Sequence, residues 1–120
     1  DVAAHALMDA LLGAAALGDI GKLFPDTDER YRGADSLMLL DRVMEALGEA
    51  GYRPVNADVT IVAQKPKLRP YIDQMRVHLA RHMGVDVSQV SVKATTSEGM
   101  GFEGEEKGMT AHAVCLIESI

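Results

Sequence analysis

The stretch ADVTIVAQ, residues 57–64, is dominated by β-branched and small apolar side chains and reads as a buried strand. After it, Pro66 and Pro70 bracket a short turn, and Pro70 suits the first turn of a helix. That helix carries Ile72, Met75 and Leu79 at helical spacing and stops at Gly84. From Val90 to Thr96, apolar Val90, Val92 and Ala94 alternate with Ser91, Lys93 and Thr95, the pattern of a half-buried strand. Residues 97–108 hold Gly99, Gly101, Gly104 and Gly108 and read as loop. MTAHAVCLI, residues 109–117, reads as a third strand.

Upstream, Asp35 or Ser36 caps a helix running to about Ala50, with Leu37, Leu40, Val43, Met44 and Leu47 on its apolar face and Gly51 closing it. Residues 18–28, GDIGKLFPDTD, read as loop or broken helix with Pro25 as the stop, and the loop continues to residue 33. Residues 1–17 read as an Ala-rich helix ending near Gly18. The order α, α, β, α, β, β predicts an α+β two-layer sandwich in one domain, 1–120. In it a mixed β-sheet is covered on one face by three helices. Asp1 opens straight into the helical pattern Val2, Ala3, Ala6, Leu7, Ala10, Leu11, which predicts a polypeptide extending upstream.

The chain has 120 residues and a net charge of −6, from 12 basic and 18 acidic side chains. A nucleic-acid binder needs a basic face, and the only basic cluster is Lys65, Lys67 and Arg69. Aromatics at 4%, with no Trp, argue against base-stacking platforms. The Ala/Leu-rich start is broken by His5 and Asp9 and lacks the basic flank of a signal peptide, and no apolar run is long enough to span a bilayer. The single cysteine, Cys115, excludes an internal disulfide framework and a Cys-based zinc knuckle. These features predict a cytoplasmic protein with neither nucleic acid nor membrane as partner.

Four polar constellations remain. Asp1, His5 and Asp9 share one face of the first helix; they are either a solvated stripe or a metal-binding imidazole with carboxylates one turn away. Asp19, Asp26, Asp28 and Glu29 cluster in a loop where Gly18 and Gly21 permit close approach of a ligand. This is not a calcium-binding EF-hand loop, because the sixth position from Asp26 is Tyr31. Lys65-Pro66-Lys67-Leu68-Arg69 follows a strand: a basic edge turn, or a phosphate or nucleobase contact at a strand end. Lys93-Ala94-Thr95-Thr96-Ser97-Glu98 combines hydroxyls, a carboxylate and flexible amides suited to a Mg²⁺-phosphate site. No G-x-x-x-x-G-K-[ST], G-x-G-x-x-G, G-x-S-x-G or H-E-x-x-H motif occurs. Cys115 reads as a core residue, and His78 and His82 as surface residues.

Taken jointly, DVAAHALMDALLG (1–13), GDIGKLFPDTD (18–28), Ala63-Gln64-Lys65-Pro66-Lys67, Lys93 to Glu98 and the pair Gly101-Phe102 resemble the 2-C-methyl-D-erythritol 2,4-cyclodiphosphate synthase family. The resemblance runs the whole length in order. It implies a homotrimer with active sites between subunits and a metal-assisted cyclisation in the non-mevalonate isoprenoid pathway. There the 2-phosphate of 4-diphosphocytidyl-2-C-methyl-D-erythritol 2-phosphate attacks the β-phosphorus and CMP leaves.

Family members hold zinc through an Asp and a His of a G-x-D-x-H segment plus a His on the first helix. His5 matches that helix ligand; the G-x-D-x-H segment and the family's N-terminal strands are absent from this sequence and expected upstream. Glu98 matches the ligand of a second cation, Mg²⁺ or Mn²⁺, on the substrate diphosphate. Asp19, beside Gly21, matches the ribose-binding residue. Phe24, Pro25, Asp26, Thr27 and Asp28 match a loop over the methylerythritol moiety. Ala63, Gln64, Lys65, Pro66, Lys67, Leu68, Arg69, Thr95, Thr96, Ser97, Glu98 and Phe102 fall in the motifs around the cytidine diphosphate, with Thr96 also matching a catalytic threonine. The alternative is a non-catalytic trimeric nucleotide-binding regulatory domain.

Overall fold

The structure, a computed structural model, describes residues 2–25, 35–64, 67–96, 100 and 108–120. It contains the helices α1 (Val2–Ala14), α2 (Ile20–Leu23), α3 (Ser36–Glu49) and α4 (Ile72–Met83), and the strands β1 (Tyr52–Ala63), β2 (Val90–Thr95) and β3 (Met109–Ser119). The sheet order is β2-β1-β3. β1 runs parallel to β2, with α4 as the crossover between them, and antiparallel to β3. The sheet is thus mixed, as expected.

The core lies on one face of that sheet. Ala57, Val59, Ile61 and Ala63 of β1 alternate inward and are buried, as are Val90 and Val92 of β2. Against them pack Ala3, Ala4, Leu7, Met8, Leu11 and Leu12 of α1, Leu40, Val43 and Leu47 of α3, and Leu79, Ala80 and Met83 of α4. Pairs of apolar positions repeating every four residues give α1 a wide buried face, and Ala3 and Ala4 let its backbone approach the sheet closely. His5 and Asp9 lie on the exposed side. Cys115 packs against the core from β3, and burial pushes its thiol pKa up.

Three boundaries differ from expectation. α1 stops at Ala14, before Gly18. The Leu17 amide bonds the Leu12 carbonyl at 2.9 Å, the Ala16 amide bonds that of Gly13 at 3.0 Å, and Ala16 sits at φ 57°. This closure normally uses glycine in the left-handed position, so alanine there hides it from a search for glycine. The segment expected as loop or broken helix contains the one-turn α2, a fourth helix beyond the three predicted. Finally, β1 begins at Tyr52, five residues before the expected start. Tyr52, Arg53, Pro54 and Asn56 pair only with β3, and the ladder slips between Pro54 and Asn56, beside the proline that has no N–H to give it.

Side chains also tie β2 to α4. Arg76 donates from Nε to the Val90 carbonyl at 2.7 Å and from Nη2 to that of Val87 at 3.1 Å. Residues 87–89 form a 3-10 turn closed by a capping box between Asp86 and Gln89. His82 is less of a surface residue than expected: its side chain is 24% exposed, and its Nδ1 lies 2.7 Å from Asp41 Oδ1 on α3.

Candidate active site at the strand ends

Parallel pairing brings the carboxyl ends of β1 and β2 side by side, with Val62 opposite Thr95. Open α/β arrangements place ligands beyond such ends, where the chain leaves the sheet and its amides and side chains turn outward. Here the ends frame a cavity of about 550 Å³. Ala63 and Gln64 line it from β1, Lys67, Leu68, Arg69 and Pro70 from the approach to α4, and Ala94, Thr95 and Thr96 from β2.

The wall chemistry is mixed. Lys67 and Arg69 are exposed cations. Leu68 is half-buried and packs against the core, offering an apolar surface. Thr95 Oγ1 donates to the Thr96 carbonyl at 3.4 Å, a long bond that a phosphate oxygen could compete for. Gln64 Oε1 is buried with no hydrogen-bond partner among the described residues, and a ligand donor would relieve it. A Leu wall, two cations and two hydroxyls suit a planar base attached to phosphates.

Of the residues singled out from sequence, Ala63, Gln64, Lys67, Leu68, Arg69, Thr95 and Thr96 come together here. Pro70, which suits a helix start, and Ala94 line the cavity as well. His5, Asp19, Gly21, Phe24 and Pro25 do not line it. His5 lies on α1 and the others on or beside α2, and α1 packs chiefly on β3, beyond the central strand from β2. Asp26, Thr27, Asp28, Lys65, Pro66, Ser97, Glu98 and Phe102 fall outside the described residues.

The second group has its own order. Asp19 caps α2, its Oδ1 accepting the Lys22 amide at 2.9 Å. A Cβ on Gly21 would sit 3.4 Å from that oxygen, in ordinary van der Waals contact with it. Gly18, at φ 94°, makes the turn into the cap. Asp9 Oδ1 accepts the Ile20 amide at 2.9 Å.

No three His, Cys, Asp or Glu side chains among the described residues gather closely enough to hold a metal ion. His5 contributes one exposed imidazole to which no described residue hydrogen-bonds, one donor of the three a catalytic zinc requires. The described residues therefore do not by themselves fit a zinc ion.

The face of the sheet away from the helices is partly apolar. Val114 is 67% and Leu116 60% exposed on β3. Beside them Lys93 Nζ reaches Asp58 Oδ2 at 2.8 Å across the parallel pair. The Lys93 hydrogen bond holds the Asp58 carboxyl below its ordinary range.

Comparison with known proteins identifies the class. The model of the YgbB family matches residues 1–118, and the chain belongs to that family. Among curated relatives, the 2-C-methyl-D-erythritol 2,4-cyclodiphosphate synthase of Thioalkalivibrio sulfidiphilus is 62% identical over 119 residues, covering 99% of this chain and 74% of the relative. The synthase of the same name from Chlorobaculum tepidum is 57% identical over 119 residues, covering 99% and 76%. A solved 2C-methyl-D-erythritol-2,4-cyclodiphosphate synthase in a CDP-bound form superposes with a TM-score of 0.89 at 37% identity, covering 98% of this chain and 76% of that one. The bifunctional IspDF of Campylobacter jejuni superposes at 0.95 with 40% identity, covering all of this chain and 32% of that one.

Proposed function

We propose that the strand-end cavity holds the cytidine diphosphate portion of 4-diphosphocytidyl-2-C-methyl-D-erythritol 2-phosphate while the substrate closes to 2-C-methyl-D-erythritol 2,4-cyclodiphosphate. The overall activity is that of the family's curated synthases, an enzymatic cyclisation in isoprenoid synthesis. One observation carries the site reading. The cavity residues Ala63, Gln64, Lys67, Leu68, Thr95 and Thr96 coincide with the motifs read as a nucleotide pocket, in a fold shared with a CDP-bound synthase.

In the reaction a 2-phosphate oxygen attacks the β-phosphorus. The bond from that phosphorus to the oxygen bridging to the α-phosphorus breaks, and CMP departs with the bridging oxygen and its electron pair. Both reacting groups belong to one molecule, so the protein's main task is to hold the folded-back conformer. Phosphoryl transfer asks little covalent chemistry of the enzyme and much positioning and charge neutralisation. Leu68 packs on the base, and Gln64 accepts from a donor on it. Lys67 and Arg69 draw charge from the diphosphate, and the Thr95 and Thr96 hydroxyls donate to its oxygens, with Thr96 nearest the transferring group. Asp19 binds the ribose hydroxyls, and Phe24 to Asp28 cover the methylerythritol. A zinc ion would take His5 as one of its protein ligands, and Mg²⁺ or Mn²⁺ on the diphosphate would take Glu98. When bound, these cations supply positive charge to the diphosphate, which lets an acidic protein accept an anionic substrate.

The active form is a homotrimer with sites between subunits. Two observations support this. The residues of α1–α2 and those of the strand-end cavity lie apart in one subunit, and the outer sheet face leaves Val114 and Leu116 uncovered. The matched relatives favour this enzyme over a nucleotide-binding regulator. The test is a CMP-release assay on the full-length protein beside calorimetric CDP binding and light scattering. CMP release by a trimer supports the reading. CDP binding without turnover indicates the regulator, and a stable monomer at micromolar concentration removes the inter-subunit site.

A further inference from the structure

Asp9 lies one turn beyond His5 on the exposed side of α1. Its Oδ1 accepts the backbone N–H of Ile20, eleven residues away, at 2.9 Å. Ile20 opens α2, and its amide is one of those that a helix start leaves without an internal partner. Asp19 takes the next such amide but one, that of Lys22, also at 2.9 Å. Two carboxylates thus share the start of a helix only four residues long, whose Ile20 and Leu23 are only partly buried against the core. A single turn has almost no stability of its own, because nucleation costs more than one turn of hydrogen bonds returns. Asp19 anchors the turn to itself, whereas Asp9 anchors it to α1, whose Leu7, Leu11 and Leu12 are fixed in the core.

We propose that Asp9 is a positioning residue for the cyclisation: through the Ile20 amide it fixes the Asp19 carboxylate and the following turn relative to the helix that carries His5. This rests on the reading of Asp19 as the ribose-binding residue. It gives Asp9 a part in holding the sugar end of the substrate rather than in holding metal or merely filling a polar stripe.

The experiment uses the full-length protein and four variants. Asp9→Ala removes the acceptor. Asp9→Asn keeps a carbonyl oxygen for the Ile20 amide and removes the charge. Ile20→Pro removes the donor without touching Asp9, along with an Ile20 side chain that packs against the core and whose loss is read in Tm, at a first helical position where proline is well tolerated and after an Asp19 that is already extended, at φ −132° and ψ 178°. Asp19→Ala is the control for the underlying reading. The measurements are KM and kcat by CMP release, CDP affinity by calorimetry, zinc by elemental analysis, and Tm.

Asp9→Ala is expected to raise KM and the CDP Kd roughly tenfold, the size that loss of one helix-start hydrogen bond permits. kcat should stay within about twofold of the parent and zinc content unchanged. Ile20→Pro should raise KM similarly, and Asp9→Asn should restore most of the affinity. A purely structural role would lower Tm without this split between KM and kcat. Loss of zinc in Asp9→Ala, an Asp9→Asn as impaired as the alanine variant, or a normal KM in Ile20→Pro would each overturn the proposal. If Asp9→Ala fails to fold, the Ile20→Pro and Asp9→Asn pair decides. If Asp19→Ala leaves KM unchanged, the ribose reading fails instead, whatever Asp9 does.

Discussion

Val62 and Thr95 stand opposite each other in the parallel ladder, so β1 and β2 run out together into one cavity. Had the two strands been antiparallel, Lys67 and Thr95 would have left the sheet at opposite ends. The crossover through α4 therefore does functional as well as structural service. It returns the chain so that both motif-bearing strand ends face the same space, and Arg76 pins the start of β2 to that helix.

Lys67→Ala should weaken CDP binding by roughly tenfold, as expected for one charge-assisted contact to phosphate. The loss should shrink as salt rises, since the side chain is exposed and screened. Calorimetry at two ionic strengths measures both effects, and an unchanged affinity would remove Lys67 from the site.

Glu98→Gln should strongly reduce CMP release while leaving the circular dichroism spectrum and Tm near the parent values. Hard divalent cations prefer a carboxylate to an amide oxygen, so excess Mg²⁺ or Mn²⁺ should restore only part of the rate. Parent-like turnover in the variant would show that another group holds the cation.

His5→Ala in the full-length protein should lose zinc, from about one ion per subunit to well below that, because a three-ligand site tolerates the loss of none. Elemental analysis after dialysis reads this without reference to turnover. Retained stoichiometric zinc would mean that His5 is not a ligand.

Ala16→Gly should stabilise the protein. Alanine at φ 57° occupies the left-handed region, which costs an L-residue about 1 kcal/mol. Glycine removes that strain but adds unfolded-state entropy of somewhat smaller size, leaving a net gain of about 0.5 kcal/mol. Thermal unfolding should show Tm higher by about 2 °C. A lower Tm would mean that the Ala16 methyl contributes packing that outweighs the strain.

Asp58→Asn should flatten the acid side of the stability profile. The Lys93 hydrogen bond depresses the folded-state pKa of Asp58, so its carboxylate contributes stability above its ordinary pKa of about 4. That contribution is lost as pH falls below this value and through the depressed one. The Asp58 side chain is 39% exposed, so the effect should not exceed about 1 kcal/mol. Tm measured from pH 7 to pH 3 should fall less steeply in the variant; parallel curves would show that the pair contributes nothing.

The sequence by itself determined the type of each long element, the apolar face of α3 and most of the residues that line the strand-end cavity, Pro70 being read only as a helix start. Residues 57–64, 90–96 and 109–117 alternate or run apolar over strand lengths, and Leu40, Val43 and Leu47 recur at helical spacing. These are local patterns, set by which side a residue must bury. Tertiary structure decided what local patterns cannot encode. Pro54 lies within a strand because β3 alone pairs with it there, and Ala16 closes α1 because the Leu12 and Gly13 carbonyls and Leu17's place against the core fix the turn. Asp9, read from sequence as one of three members of a polar stripe, instead holds the Ile20 amide. In each case the deciding partner is supplied by the folded arrangement, through a hydrogen bond or a packing contact that periodicity does not reveal.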